Sequence, residues 1–314
     1  TRPRPPRRSA AMIPAPPQTP GLANWLRVIA LSVIWGASFM SVKLALAGFG
    51  PLTIAASRIT IAAVTLYLVA RIMGLALPTS RRVWAYAVAM GLFSNVLPFA
   101  LLSWGQIHVA SGFAGITMAA VPLFTMVLAH HLLPGERVTL AKLAGFALGI
   151  TGVILLIGPR ALLASGADAE SLARLACIAA TLSYATGGVL TRRCPPVPLL
   201  AFSAAALISA SLMALPLALA LEGWPDLVAA PAAALAAVIY LGLAPTALAT
   251  LLLVKVIKTA GPTFLTMSNY QVPVWSVIFG TVFMAENLPG QFLLALAFIL
   301  AGLAITGMGR RRTA

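Results

Sequence analysis

Acidic residues, cysteines and histidines are all scarce in this sequence. Its 314 residues include only 6 Asp and Glu, 2 Cys and 3 His. Cys177 and Cys194 form no CxxC pattern, so neither a disulfide framework nor a cysteine metal site is expected. The sequence also has no HExxH, GxSxG or glycine-rich phosphate-loop motif. We therefore expect no metal, no cofactor and no enzymatic activity.

Charge of either sign is rare, and long apolar runs take its place. Charged residues make up 9% of the chain and hydrophobic residues 61%, and the mean hydropathy is +0.99. So little polar surface cannot coat a soluble globule of this size. The net charge of +15 would suggest nucleic acid in a soluble protein, but here the basic residues lie between apolar runs and at the termini. We interpret the positive charge as a membrane topology signal. The expected partner is the lipid bilayer, and no nucleic acid is expected to bind.

Ten apolar runs have about the 20 residues that a helix needs to cross a bilayer core. They cover 24–47, 51–72, 83–105, 111–133, 139–158, 171–190, 198–221, 231–254, 263–285 and 288–308. The pattern predicts an all-α, polytopic membrane protein of ten helices. We divide it into a disordered cytoplasmic tail (1–23), a first five-helix repeat (24–158), a linker (159–170), a second repeat (171–309) and a basic cytoplasmic tail (310–314).

The second half of the chain repeats the first. Pro122, inside one apolar run, and Glu136, just after that run, recur as Pro273 and Glu286, and a further apolar run follows each glutamate. Further correspondences are Trp35 with Tyr184, Lys43 with Arg192, and Gly91 with Gly242. Because each repeat has five helices, an odd number, the second copy enters the membrane from the opposite side. Inverted repeats are typical of carriers that work by alternating access around a midplane site.

The distribution of basic residues predicts the orientation, since cytoplasmic loops collect Lys and Arg. With the N-terminus inside, 17 of the 21 Lys and Arg residues fall on the cytoplasmic side. The outer side keeps Lys43, Arg58, Arg160 and Arg174. Both termini are therefore predicted to be cytoplasmic.

Several of these residues also carry a family resemblance. They are Trp35-Gly36, Arg58, Pro122 followed by Leu133-Pro134-Gly135-Glu136-Arg137, Gly145 and Gly152. Over 24–308 the chain resembles the EamA-type ten-helix transporters of the drug/metabolite transporter superfamily, and within it the YddG-like bacterial amino-acid exporters. The resemblance implies two inverted five-helix units and export of small metabolites across a bacterial inner membrane. The second copy departs from the pattern, because it reads Ala285-Glu286-Asn287 where the family usually has Gly-Glu-Arg.

Polar side chains inside the apolar runs are the candidates for substrate binding, since polar groups in hydrocarbon are costly unless satisfied. The third helix supplies Ser94, Asn95, Ser103 and Trp104, and the ninth supplies Ser268, Asn269, Tyr270, Gln271 and Trp275. Trp35 and Tyr184 correspond under the repeat and lie well inside their helices. The alternative is that these side chains only bond neighbouring helices or fill the core.

Four prolines lie within the predicted helices: Pro98, Pro122, Pro245 and Pro273. Each removes a backbone hydrogen bond, which is tolerated where protein or water satisfies the freed carbonyl. They are candidate gating positions, and static kinks are the alternative.

Arg58 and Lys43 are the basic residues predicted to lie within the outer half of the membrane. Either is a candidate contact for a substrate carboxylate. The alternatives are snorkelling to the surface and an ion pair with Glu286 or Glu222.

All six acidic residues fall in predicted loops or at helix ends, so we expect no buried carboxylate to couple transport to protons. The sequence favours a carrier of neutral, zwitterionic or carboxylate-bearing solutes, working as a monomer or weak homodimer. Amino acids, with broad specificity including aromatic or apolar ones, fit best. The alternatives are a multidrug or nucleotide-sugar carrier of the same superfamily, a channel, or a membrane enzyme.

Overall fold

The computed structural model describes residues 21–133, 139–158 and 168–311, with side chains up to Thr306. Within these ranges the chain is all-helical and has no strand. The ten helices are α1 (Leu22–Ala45), α2 (Pro51–Ile72), α3 (Arg81–His108), α4 (Ser111–Leu132), α5 (Leu140–Ile157), α6 (Ala169–Thr191), α7 (Leu199–Glu222), α8 (Ala232–Leu265), α9 (Ser268–Ile278 with the π-helical turn Phe279–Phe283) and α10 (Gly290–Arg311). Eight are long and apolar enough to cross a membrane, and α10 contains a shorter apolar stretch, Gly290–Thr306. The predicted all-α membrane architecture is confirmed.

Some predictions lie outside the described residues. These are the N-terminal tail up to residue 20, Glu136 with its neighbours 134–138, most of the linker (159–167) and the last three residues of the chain.

Local sequence explains where several helices begin and end. Pro51 opens α2, where its missing N–H costs no hydrogen bond. The Asp168 carboxylate accepts a hydrogen bond from the Ser171 amide at 2.7 Å and caps the start of α6. Gly158 and Gly223, which follow α5 and α7, have φ of +83° and +78°. These are conformations that glycine adopts at little cost.

Helix packing follows a two-fold pattern that exchanges the first five helices with the last five. Helices α2 and α7 pack on each other, as do α5 and α10. The contact of α3 with α6 has its counterpart in that of α8 with α1, and the contact of α4 with α6 in that of α9 with α1. Likewise α3 packs on α7 while α8 packs on α2. Equivalent helices of the two repeats therefore pack against the opposite repeat, and the two repeats form one bundle.

Glycines allow the closest of these contacts. A Cβ added to Gly145 in α5 would lie 2.4 Å from the carbonyl oxygen of Gly302 in α10, and one added to Gly302 would lie 2.4 Å from that of Gly145. At Gly91 in α3 it would meet a backbone oxygen of α7 at 2.7 Å, and at Gly242 in α8 a side-chain carbon of α2 at 2.6 Å. Small residues permit such backbone approach in membrane bundles. Gly91 and Gly242, matched by sequence, thus make matching contacts.

Helix α8 extends further than the predicted span 231–254. It continues past the exposed Lys255 and Lys258 to Ala260, where Gly261 breaks it with φ +83° and ψ 162°. One further turn leads to Leu265, and α9 begins at Ser268 instead of residue 263. The apolar run ends at the lysines, but helical hydrogen bonding continues through charged residues that face outward.

Candidate substrate site

A cavity of about 360 Å³ lies inside the bundle. Its walls come from α1, α2, α3, α4, α6, α8 and α9, while α5, α7 and α10 contribute none of the described lining residues. The lining residues are Trp35, Ser38, Phe39, Val42, Arg58, Met90, Ser94, Asn95, Phe99, Leu102, Ser103, Gln106, Met118, Val121, Tyr184, Pro245, Thr246, Thr250, Leu253, Asn269 and Val272. The cavity is therefore largely apolar, with a few polar groups and the cation Arg58.

Two π-helical turns supply polar groups from opposite repeats. They span Leu92–Val96 in α3 and Leu243–Leu248 in α8, and each follows its matched glycine directly. Within them, the Asn95 Nδ2 donates to the carbonyl five residues earlier at 3.4 Å, and the Thr246 hydroxyl donates to the carbonyl five residues earlier at 2.8 Å. Because π-turns often mark functional sites, this matched pair of turns is the central feature of the cavity.

Arg58 lies at the α2 wall with only 6% of its surface exposed. Its Nη2 and Nε groups lie 3.2 and 3.4 Å from the Thr246 hydroxyl oxygen. Its guanidinium carbon lies 3.7 Å from the centre of the Phe99 ring, a cation–π distance. One hydroxyl and one ring face leave most of the five guanidinium N–H donors available to a ligand.

The carboxylates considered as partners of Arg58 are bound elsewhere. Glu286 accepts hydrogen bonds from the first two amides of α4, at 2.7 and 2.9 Å. Glu222 accepts them from the amides of Leu52 and Thr53 near the start of α2, at 2.9 and 2.8 Å. Both carboxylates thus stabilise helix N-termini of the first repeat. The ion-pair alternative for Arg58 is wrong for these residues, and its burial also contradicts snorkelling.

Lys43 does not line the central cavity. Its ammonium group donates to the carbonyls of Gln106 and Val109, at 2.6 and 3.3 Å, where α3 ends. This position compensates the negative end of the helix dipole. Lys43 instead lines a second cavity of about 450 Å³ near Pro51. Gln106 is shared by the linings of both cavities.

Trp35 and Tyr184, the matched aromatic pair, both line the central cavity. The Trp35 indole N–H donates to the Pro245 carbonyl at 3.0 Å, in the π-helical turn of α8. The Tyr184 ring lies edge-on to Phe99, with centroids 6.4 Å apart. These rings give the cavity apolar faces next to Arg58.

Of the four consecutive polar residues at the start of α9, Ser268 to Gln271, only one lines the cavity. Asn269 lines the cavity. The Ser268 hydroxyl instead donates to the Leu265 carbonyl at 2.8 Å, and Tyr270 packs on a hydrophobic cluster. Gln271 and Trp275 lie outside the lining, and the backbone of Trp275 packs against α1.

Of the remaining predicted residues, some line the cavity and others lie outside it. Ser94, Asn95 and Pro245 line the cavity, whereas Trp104 lies outside it with its ring 5.7 Å from that of His108. The other three prolines, Pro98, Pro122 and Pro273, are not among the lining residues. Their gating role stays a prediction.

The cavity lining includes Ser103, as predicted, but sequence reasoning missed four polar lining residues: Ser38, Gln106, Thr246 and Thr250. Thr246 could have been found, because it is the counterpart of Asn95 in the second repeat. Ser103 and Gln106 lie four and seven residues after Phe99, on the same helix face. Among the described residues, no group of three His, Cys, Asp or Glu side chains is placed to hold a metal ion.

Comparison with known proteins decides the family. The profile of the EamA-like transporter family matches this chain twice, over residues 25–158 and 171–308. The chain belongs to this family. The transporter is therefore a multi-pass membrane protein that carries small molecules, and the predicted superfamily is confirmed.

Relatives of the transporter have related names. A protein of Streptantibioticus cattleyicolor named "Probable terminal-alkyne amino-acid exporter" is 31% identical, over 93% of this chain and 96% of its own. A Chlamydia trachomatis S-adenosylmethionine/S-adenosylhomocysteine transporter is 29% identical, over 86% and 84%. The uncharacterised inner membrane transporter YedA of Escherichia coli is 26% identical, over 90% of each chain. A crystal structure of another protein, 20% identical, superposes with a TM-score of 0.66 over 92% of this chain and 99% of its own, which shows the shared fold.

Proposed function

We propose that the transporter exports amino acids across a bacterial inner membrane by alternating access, with broad specificity that includes aromatic and apolar side chains. The observation that carries this proposal is Arg58: a buried guanidinium on the wall of an internal cavity, in ion-pair contact with none of the described carboxylates. A buried cation favours an anionic partner. A substrate carboxylate supplies one.

The rest of the cavity suits an amino acid. Its volume of about 360 Å³ is at the lower end of the range of small-molecule sites, about 300–1,000 Å³. Trp35, Tyr184 and Phe99 offer ring faces to an aromatic or apolar side chain. The named substrates of two relatives, a terminal-alkyne amino acid and S-adenosylmethionine, share the amino-acid carboxylate that Arg58 would bind.

The two-fold packing supports the mechanism. The matched π-helical turns of α3 and α8 face the cavity from opposite repeats. Rocking of the group α3, α4 and α6 against its two-fold counterpart, α8, α9 and α1, would expose the cavity to each side in turn. Pro122 in α4 and Pro273 in α9 are the proposed flexible positions. The termini are proposed to face the cytoplasm, following the distribution of basic residues.

We further propose facilitated transport or exchange without a buried proton-coupling carboxylate. No described Asp or Glu is among the lining residues, and Glu222 and Glu286 are engaged at helix N-termini. A titrating acid near the midplane is the usual device for proton coupling.

Counter-transport in liposomes tests the proposal. The purified full chain is reconstituted and preloaded with unlabelled amino acid. Uptake of labelled leucine, phenylalanine, glutamine and S-adenosylmethionine is then measured with and without a proton gradient. We expect saturable uptake that preloading stimulates and that does not require the gradient. Empty liposomes control for leakage, and Gly188→Ala, where an added Cβ meets open space, controls for handling.

Three results would contradict parts of the proposal. If none of the tested amino acids shows saturable counter-transport, the proposed substrate class is refuted. Flux that never saturates and shows no counter-transport would indicate a channel. A strict requirement for a proton gradient would refute uncoupled transport.

A further inference from the structure

Two side chains in the central cavity have polar atoms without a hydrogen-bond partner. Ser103 and Gln106 are both 0% exposed and both line the cavity. The Ser103 hydroxyl oxygen and both amide atoms of Gln106 have no partner among the described residues. Buried polar groups are nearly always satisfied, so each exception needs an explanation. Here the available partner is whatever occupies the cavity.

Both residues lie on the helix face that carries the Arg58 contact. Phe99, whose ring lies under the guanidinium of Arg58, precedes Ser103 by four residues and Gln106 by seven, so all three share one side of α3. At the helical rise of 1.5 Å per residue, Gln106 lies about 10 Å along α3 from Phe99. One wall thus presents a cation and, further toward the end of α3, an uncharged polar pair.

The chemistry of the pair selects its ligand. The Gln106 amide offers donors and an acceptor at once, and the Ser103 hydroxyl does the same. The ammonium of Lys43, held on the backbone carbonyl of Gln106 at 2.6 Å, would repel a second cation. It is also already bound by two carbonyls, so it is a poor partner for an anion. A neutral group that both donates and accepts, such as a carboxamide or hydroxyl, fits best.

We infer that Ser103 and Gln106 form a second polar subsite, which binds a carboxamide or hydroxyl on the side chain of a substrate whose carboxylate lies at Arg58. This inference rests on the proposed function and gives it a substrate preference: long, uncharged polar amino acids are favoured over apolar ones of equal length. Gln106 also lines the second cavity, so this end of the substrate points toward that cavity.

Competition in liposomes tests the inference. Inhibition of labelled leucine counter-transport by glutamine is compared with inhibition by methionine, which has a similar length and no amide. In the wild type we expect glutamine to compete about 10-fold better. Gln106→Leu should weaken competition by glutamine about 10-fold and leave that by methionine within about 2-fold, and Ser103→Ala should weaken glutamine alone by about 3-fold.

Matched controls come from the same residue types outside both cavities. Gln291 donates to the Leu155 carbonyl and Ser209 to the Ala205 carbonyl. Gln291→Leu and Ser209→Ala should leave the glutamine-to-methionine ratio unchanged. If Gln106→Leu yields no folded protein, Ser103→Ala decides, because it deletes a single oxygen.

Failure of the subsite is distinguishable from failure of the proposed function. If glutamine and methionine both compete and neither variant changes their ratio, the subsite is refuted and amino-acid transport stands. An equal loss for both competitors would show that Gln106 only supports packing. Stronger competition by glutamate than by glutamine would assign this end of the cavity to Lys43 and overturn the inference. If no amino acid competes in the wild type, the proposed function fails and the subsite with it.

Discussion

Replacing Arg58 by methionine separates a binding role from a structural one. The substitution keeps an unbranched side chain of similar reach and removes the charge. A hydrogen bond to a charged group contributes about 1.5–3 kcal/mol. With about 1.4 kcal/mol for each factor of ten, Arg58→Met should weaken the affinity for a carboxylate-bearing substrate by about 10- to 150-fold.

The same substitution should not destabilise the fold. Arg58 is buried and shares a single hydroxyl acceptor, Thr246, between two nitrogens at 3.2 and 3.4 Å. The Phe99 ring adds a cation–π contact of about 0.5–2 kcal/mol. Burial of a charge so weakly compensated costs free energy, and an apolar replacement of similar volume is often neutral or stabilising. We therefore expect an unchanged or higher melting temperature in detergent.

The assay compares an amino acid with its methyl ester as competitors of counter-transport. The wild type should bind the free carboxylate about 10- to 150-fold more tightly than the ester. Arg58→Met should bind both forms equally. Arg58→Lys should be intermediate, because an ammonium keeps the charge without the planar stacking on Phe99. An undiminished preference for the carboxylate in Arg58→Met, or a melting temperature that falls while affinity is retained, would refute the reasoning.

Three further substitutions test a close helix contact, a helix cap and an aromatic residue of the cavity. Gly302→Leu forces a side chain against the α5 backbone and should cost about 1–3 kcal/mol or more; its melting temperature should fall, while that of Gly188→Ala should not. Glu286→Gln weakens the cap on α4 and should cost about 0.5–2 kcal/mol, so an unchanged melting curve would contradict the capping role. Trp35→Phe deletes the donor to the Pro245 carbonyl and should reduce substrate affinity about fivefold, the equivalent of about 1 kcal/mol, in competition assays.

The repeat was the most productive sequence signal for the site. Matching the halves paired Gly91 with Gly242 and Trp35 with Tyr184, and all four make corresponding contacts or line the cavity together. Extending that match by four residues would have identified Thr246 as the counterpart of Asn95. The repeat can be detected in the sequence because the two-fold packing requires similar residues at equivalent positions of both copies.

Polar density within a helix was a weaker guide. Four consecutive polar residues begin α9, yet only Asn269 of these lines the cavity. A helix turns about 100° per residue, so a consecutive run spreads around the axis and one cavity receives a fraction of it. Gln106, three residues after Ser103, was overlooked because it lies alone beyond the polar residues of the third helix.

By itself, the sequence determined the membrane class, the ten helices and the two-fold repeat, because bilayer thickness and hydropathy act locally along the chain. Only the tertiary structure decided which polar groups meet. Arg58 on α2 reaches Thr246 on α8 and Phe99 on α3, while Glu222 and Glu286 are bound at helix N-termini. Those contacts depend on helix rotation and packing between repeats, which residue spacing along the chain does not specify.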